Sequence, residues 1–162
     1  MTAFNEVDGV PATANQFLYT DILRKEWGFK GFVVTDYTAM NELVPHGIAA
    51  NEEEAAEKAV NAGIDMDMNG SVFIQNLPQL VKDRKVKEAA IDQAVRPILE
   101  MKFLLGLFDD PYRYLDSVRE KNTIMKPEFL QVARDAGRKS IVLLKNEKRY
   151  FQLIPGKQRR WL

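Results

Sequence analysis

A short, continuous apolar segment, Phe32 to Thr35, constrains the fold of this chain most strongly. It lies between Gly31 and Asp36 and shows none of the polar alternation of a strand with one face in solvent. Uninterrupted β-branched segments of this kind are typical of parallel strands that are buried on both faces. The sequence therefore predicts an α/β fold in which helices cover a parallel sheet.

Helical periodicity precedes and follows this strand, and residues that favour helix ends mark its limits. Gly28 and Gly63 are expected to follow the last turns of two helices, and Asn51 to cap the start of the second. Pro127 is expected in the first turn of the last helix. We predict helices over residues 15–27, 52–61, 71–81, 87–105 and 127–144, and short strands over residues 1–5, 31–35 and 64–66.

The number of strands and the two ends of the chain suggest a piece of a larger protein. Three parallel strands cannot close a barrel, and so small a sheet leaves two exposed edges. The first predicted strand starts at Met1, with no residues before it. Residues 150–162 are basic and aromatic and show neither helical nor strand periodicity. We therefore expect a fragment, with a complete small α/β domain as the alternative.

The composition excludes several kinds of chemistry. Lys and Arg total 23, as do Asp and Glu, so the formal net charge is zero. The chain therefore lacks the excess of positive charge that is typical of proteins that bind nucleic acid or an anionic membrane. The absence of Cys excludes disulfides and thiol catalysis, and a single His argues against a histidine-rich metal site. No apolar run is long enough to cross a bilayer. Carboxylate chemistry is what remains.

Asp36 is the first candidate for that chemistry. It follows the apolar strand directly, and the carboxyl ends of parallel strands carry the active sites of α/β sheets and barrels. An aspartate there is held by a rigid strand and open to substrate. The alternative is an aspartate that caps or turns the next segment, and the residues alone leave both interpretations open.

Other polar residues near the strand ends favour structural roles. Asp65 and Asp67 flank Met66 and could share one side of a strand, as a paired acid site or as a metal site with Asp36. We favour hydrogen bonding to nearby loops, because a metal site usually needs more converging ligands. His46 is a lone loop histidine, for which a structural hydrogen bond is the more common role.

Five blocks of the sequence form a recognisable series. They are residues 3–12 (AFNEVDGVPA), 23–37 (LRKEWGFKGFVVTDY), 62–68 (AGIDMDM), 102–112 (KFLLGLFDDPY) and 133–146 (ARDAGRKSIVLLKN). In this order and with this spacing they resemble glycoside hydrolase family 3, most closely bacterial β-glucosidases of the periplasmic type. No single block is specific, whereas five with matching spacing are. The resemblance runs from residue 1 to about residue 147, after which the sequence departs from the family pattern.

The resemblance implies a position for each part of the chain. Residues 1–108 resemble the C-terminal part of a (β/α)8 catalytic barrel, so the expected fold class is α/β with a partial TIM-like barrel. Residues 109–126 resemble the interdomain linker. Residues 127–162 would be the truncated start of a second domain, an α/β sandwich.

The resemblance also implies a mechanism. Asp36 occupies the position of the catalytic nucleophile in a retaining, double-displacement hydrolysis of terminal β-D-glucosidic bonds. Such a nucleophile must be ionised, so its surroundings should favour the charged form. Phe4 falls where many members carry a tyrosine near the sugar, and Tyr37 falls at a rim position that shapes specificity. Phe4 and Tyr37 are therefore the expected substrate-binding residues.

The expected partners are a β-glucoside or oligosaccharide substrate, together with the missing barrel strands and second domain of the parent protein. No nucleic acid, membrane, metal or organic cofactor is expected. The general acid/base glutamate would lie beyond residue 162, so the chain alone should have little or no activity. The resemblance favours a periplasmic or secreted parent. The alternatives are a non-catalytic remnant or interaction module of the same fold, or a β-xylosidase of the same family.

Overall fold

The computed structural model describes residues 1–147. The chain divides into two compact units, one over Met1–Arg113 and one that starts at Tyr114. The departure from the family pattern after residue 147 lies outside the described residues. None of the helices in the described part is long and apolar enough to span a membrane.

The two strands predicted over residues 31–35 and 64–66 lie side by side and run parallel. A parallel bridge joins Val34 to Met66. The Asp65 amide donates to the Val33 carbonyl at 2.9 Å, and the Thr35 amide donates to the Met66 carbonyl at 2.9 Å. On the other side, the Thr2 amide donates to the Val34 carbonyl at 2.9 Å. The predicted α/β arrangement is confirmed, although the parallel pairing is shorter than the sequence suggests.

Regular strand pairing within the described residues occurs instead in a hairpin near the N-terminus. Its strands are β1, Glu6–Val7, and β2, Val10–Pro11. Asp8 and Gly9 join them with φ values of +55° and +74°. This Asp-Gly pair is favoured in two-residue hairpin turns, which need positive φ at both positions.

Helices account for most of the remaining described residues. A π-helix replaces the expected α-helix near the N-terminus, since the Trp27 amide donates to the carbonyl of Ile22, five residues back, at 2.9 Å. The helices are the 3₁₀ turn Ala12–Ala14, the π-helix Phe17–Glu26, the 3₁₀ turn Asn41–Leu43, α1 Glu52–Ala62, α2 Val72–Lys82, α3 Glu88–Leu104, α4 Ser117–Thr123 and α5 Pro127–Ser140.

The predicted helix ends are largely confirmed. Asn51 caps α1 by accepting the Glu54 amide, and Gly63 follows α1 with φ of +100°. Gly28 follows the π-helix with φ of +67°. Pro127 begins α5. Each of these helix ends is set by residues within one or two turns of it, so the local sequence is enough to predict it.

Two helical predictions need correction. The last helix was expected to reach residue 144, but α5 ends at Ser140 and Ile141 is extended with ψ of 123°. Consecutive β-branched residues, Ile141 and Val142, favour extended backbone over another helical turn. Residues 109–126, which were expected to form a linker, contain helix α4, because Asp116 caps it by accepting the Val118 and Arg119 amides at 2.9 Å each.

The core of the first unit lies between the two parallel segments and the helices that follow them. Val33 and Ile64 contribute apolar side chains from the strands, and each is at least 97% buried. They pack with buried residues of α1, α2 and the neighbouring loops: Met40, Ala56, Ala59, Val60, Val72, Leu80 and Val86. This packing fixes the parallel segments and therefore the edge at which they end. The second unit contributes α4 and α5, and neither helix buries a residue.

Candidate active site

Asp36 lies where the two parallel segments end. It follows Thr35, whose hydroxyl oxygen accepts the Met68 amide from the neighbouring segment at 2.8 Å. The side chain of Asp36 is partly exposed. Its Oδ1 accepts the Tyr37 amide at 2.7 Å, which fixes the side chain relative to the following residue. A partly exposed carboxylate on a fixed backbone at this edge can reach a bound substrate.

Asp36 also starts a turn, which was the alternative interpretation of this residue. Its carbonyl accepts the Ala39 amide at 3.2 Å. The first regular element after it is the short 3₁₀ turn Asn41–Leu43, for which Met40 is the N-cap residue. Asp36 therefore does not cap a helix, and the residue stays partly exposed.

The two residues expected to bind sugar lie in loops that leave this edge. Tyr37 is adjacent to Asp36 and 60% exposed, and Phe4 is 38% exposed. The loop that holds Phe4 is tied to the edge by Thr2, whose Oγ1 accepts the Asp36 amide at 3.4 Å. Both rings are thus accessible near the carboxyl ends of the strands, and their contact with substrate stays a prediction.

Asp65 ties the beginnings of the two parallel segments together. Its Oδ2 accepts the Val33 amide at 2.6 Å and forms an ion pair with Arg24 of the π-helix. Burial raises the pKa of the Asp65 carboxyl, while the Val33 amide and Arg24 act in the opposite direction. Arg24 also donates to the carbonyls of Gly31 at 3.2 Å and Gly63 at 3.4 Å. Asp65 thus has the structural role that was expected, but its partners are a strand amide and a helix arginine rather than nearby loops.

The sequence alone does not reveal the role of Arg24, although this residue lies within one of the five family blocks. A single arginine on a helix surface is an ordinary solvent-facing residue unless its partner is known. Here the partner, Asp65, lies 41 residues further along the chain. Nothing in the local sequence around Arg24 points to this pairing.

Asp67 serves a separate structural purpose. Its Oδ2 accepts the Val72 amide at 2.7 Å and the Phe73 amide at 3.4 Å, so it satisfies the first turn of α2. Asp65 and Asp67 therefore bind different partners and do not form a paired acid site. Among the described residues, no group of three or more His, Cys, Asp or Glu side chains could hold a metal ion.

His46 joins two loops at the strand ends. Its Nδ1 lies 2.9 Å from Oε1 of Glu6 in strand β1. His46 belongs to the loop that follows Asp36, and Glu6 belongs to the hairpin that follows Phe4. The structural hydrogen bond expected for His46 is confirmed, and it connects the loops that carry the two candidate sugar-binding residues.

The family model described as "Glycosyl hydrolase family 3 N terminal domain" matches residues 1–101. Since the match covers more than half of the sequence, this chain belongs to glycosyl hydrolase family 3. The matched segment is the TIM-barrel-type domain of the family, which agrees with the parallel α/β arrangement described above.

Relatives with solved structures or curated names extend this assignment. The chain is 42% identical to the periplasmic beta-glucosidase of Salmonella typhimurium, over 90% of this chain and 20% of the relative. It is 37% identical to a putative beta-xylosidase of Formosa agariphila, over 97% of this chain and 21% of the relative. It superposes on the beta-glucosidase from Listeria innocua in complex with isofagomine with a TM-score of 0.77 and 43% identity, over 93% of this chain and 21% of that one. The chain therefore spans about a fifth of the length of the relatives it matches.

Proposed function

We propose that this chain carries the nucleophile of a retaining β-glycosidase that hydrolyses terminal β-D-glucosidic bonds, with Asp36 as that nucleophile. The observation that supports this most directly is the place of Asp36. Its partly exposed carboxylate follows a buried parallel strand at the edge where two strands end. In barrel enzymes the catalytic groups occupy this edge.

The chemistry follows from a carboxylate in that position. The Asp36 oxygen that is not bonded to the Tyr37 amide attacks the anomeric carbon as the bond to the leaving oxygen breaks, and a covalent glycosyl-enzyme forms. An acid/base carboxyl group protonates the leaving oxygen and then activates a water molecule, which releases the sugar with its original configuration. We place that acid/base outside the described residues, in the second domain of the family.

Two aromatic residues are proposed to contact the substrate. Phe4 offers a partly exposed ring without a hydroxyl group, so it can stack on a sugar face but cannot hydrogen-bond to it. Tyr37 offers both a ring and a hydroxyl group next to Asp36. Phe4 therefore supports binding through apolar contact, and Tyr37 supports selection among substrates.

A β-xylosidase is the second candidate, favoured by the 37% identity to the relative from Formosa agariphila. Xylose lacks the hydroxymethyl group of glucose, so a few contacts around that group decide between the two sugars. We favour glucose because the 42% identical relative and the Listeria innocua neighbour are both beta-glucosidases. The name of the first of these also supports a periplasmic or secreted location.

The test uses a chimera in which residues 1–147 of this chain replace the equivalent segment of the Listeria innocua relative. We expect the chimera to hydrolyse an aryl β-glucoside with retention, and Asp36→Asn to lower kcat by roughly 10³-fold or more. Asp92→Asn changes an exposed carboxylate of α3 in the same way and should leave kcat unchanged. Comparing an aryl β-xyloside with the β-glucoside in the same chimera decides between the two sugars.

A chemical rescue separates a nucleophile from a residue that merely supports the fold. In Asp36→Ala, added azide should enter the vacated space, attack the anomeric carbon and yield the α-glycosyl azide. A structural role for Asp36 predicts no such product. The 162-residue chain alone should show no turnover, and measurable hydrolysis by it would contradict our placement of the acid/base.

A further inference from the structure

The residue two positions after Asp36 adopts a backbone conformation that is rare for its type. Thr38 has a φ of +55°, and a β-branched residue in the left-handed region is strained. It is the third residue of a four-residue turn, which the Ala39 amide closes by donating to the Asp36 carbonyl at 3.2 Å. Positive φ at the third position of a turn is ordinarily supplied by Gly or Asn. This turn, Asp36–Ala39, begins at the proposed nucleophile.

Hydrogen bonds from three sides hold Thr38 in this conformation. Its amide donates to the Met68 carbonyl at 3.2 Å, and its carbonyl accepts the Glu42 amide at 3.2 Å. Its hydroxyl donates to the Tyr37 carbonyl at 2.7 Å. A strained residue persists only where its surroundings over-determine it, and such residues concentrate at functional sites.

The same contacts fix the backbone of Tyr37. Its amide donates to Oδ1 of Asp36, and its carbonyl accepts the hydroxyl of Thr38. Tyr37 is thus bracketed by the side chains of its two neighbours while its own ring stays 60% exposed. Rotation of the peptide between Tyr37 and Thr38 would break the bonds to Met68 and to the hydroxyl together.

We propose that Thr38 is a positioning residue of this site: its hydroxyl and its left-handed backbone hold the Asp36–Ala39 turn, which places Tyr37 beside the carboxylate of Asp36. This inference rests on the proposed roles of Asp36 and Tyr37. It assigns Thr38 no contact with the substrate. The conformation of Thr38 thereby controls how Asp36 and Tyr37 are arranged relative to each other.

Three substitutions separate this role from simple space filling. Thr38→Val keeps the β-branched shape and the strain but removes the hydroxyl group. Thr38→Ser keeps the hydroxyl group. Thr38→Gly removes the hydroxyl group, but it also removes the strain, because Gly adopts positive φ freely and the turn then no longer needs the hydroxyl hydrogen bond. The proposal predicts that Ser and Gly preserve the turn and that Val disrupts it. Space filling predicts the reverse order, because Val is nearly isosteric with Thr and Gly is the smallest residue.

The first measurement is hydrogen exchange of the Ala39 amide in the full chain. Thr38→Val should speed this exchange about tenfold, because the hydroxyl hydrogen bond that offsets the strain is lost while the strain stays. Thr38→Ser and Thr38→Gly should stay within about threefold of the parent. Arg84→Gly is the matched control, since Arg84 has a φ of +59° in the turn between α2 and α3 and should leave Ala39 exchange unchanged.

The second measurement is kcat/KM of the chimera for the aryl β-glucoside. Thr38→Val should lower it severalfold, whereas the Ser, Gly and Arg84→Gly variants should match the parent. The proposal is overturned if the Val variant matches the parent in both measurements, or if the Gly variant is impaired as much as the Val variant. If Asp36→Asn leaves turnover intact, the proposed function fails, and the exchange ranking still decides whether Thr38 holds the turn.

Discussion

Asp65 accepts the backbone amide of Val33 at 2.6 Å, so a buried carboxylate on one parallel segment holds the start of the segment that ends at Asp36. The side chain of Asp65 is 3% exposed, and that of its ion-pair partner Arg24 is 16% exposed. Removing the charge of one member of a buried pair leaves the other without compensation. The placement of Asp36 therefore depends on a contact at the opposite end of its own strand.

Asp65→Asn should destabilise the chain by about 3 kcal/mol, because Arg24 would stay largely buried without a counter-charge. Urea unfolding measures this loss. The control is Asp21→Asn, which breaks the exposed pair between Asp21 and Lys25 at 2.8 Å and should cost less than about 0.5 kcal/mol. Equal effects of the two substitutions would show that the Arg24–Asp65 pair contributes no more than a surface pair.

The cap of α1 predicts a pH-dependent contribution to stability. The Ala50 amide and Lys58 hold the pKa of Glu54 below its ordinary value of 4.5. A carboxyl group with a lowered pKa stabilises the fold above its unfolded pKa, and this contribution is lost as pH falls through the folded pKa. The stability difference between the parent and Glu54→Gln should therefore shrink between pH 6 and pH 3, as unfolding midpoints will measure. A stability difference that stays constant from pH 6 to pH 3 would contradict a lowered pKa of Glu54.

Gly63→Ala should destabilise the first unit by about 1–2 kcal/mol, because Gly63 has a φ of +100° and a methyl group there would lie 3.0 Å from Oγ1 of Thr20. Gly137→Ala is the matched control. Gly137 lies inside α5, and a methyl group there meets no atom within 4 Å. That substitution should raise helicity and stabilise α5 by about 0.5–1 kcal/mol. Circular dichroism and urea unfolding should show these opposite signs.

Ile64→Ala should cost about 2–5 kcal/mol, because Ile64 is completely buried in the core between the parallel segments and α1. Ile74→Ala removes the same atoms from a side chain that is 78% exposed on α2 and should change stability by less than about 0.5 kcal/mol. Urea unfolding curves of the two variants give both changes in the free energy of unfolding. A small effect at Ile64 would mean that this core is loosely packed.

Local sequence chemistry was enough to predict the α/β class and most helix ends. Asn51, Gly63 and Pro127 act on backbone groups within a few residues of themselves, so their effect is visible in the sequence. The apolar segment before Asp36 was equally informative, because burial on both faces removes any polar alternation. The position of Asp36 at the end of that strand was thus predictable.

Local chemistry was less informative where competing preferences are close in energy. The π-type winding of Phe17–Glu26 and the end of α5 at Ser140 were not predicted. An amphipathic pattern over ten residues does not show whether each amide bonds to the carbonyl four or five residues back, and it does not show at which residue a helix ends. The shortness of the parallel pairing was also unexpected.

The sequence by itself thus determined the strand, the caps and the residue that ends the strand, because each depends on neighbours in the chain. Only the tertiary structure decided that Arg24 pairs with Asp65, that His46 joins Glu6 and that Thr38 is bonded to Met68, over separations of 41, 40 and 30 residues. Contacts over such separations form when packing brings distant segments together, and the energy of that packing is shared by many residues. The local sequence around each residue therefore does not indicate which distant polar group it will bind.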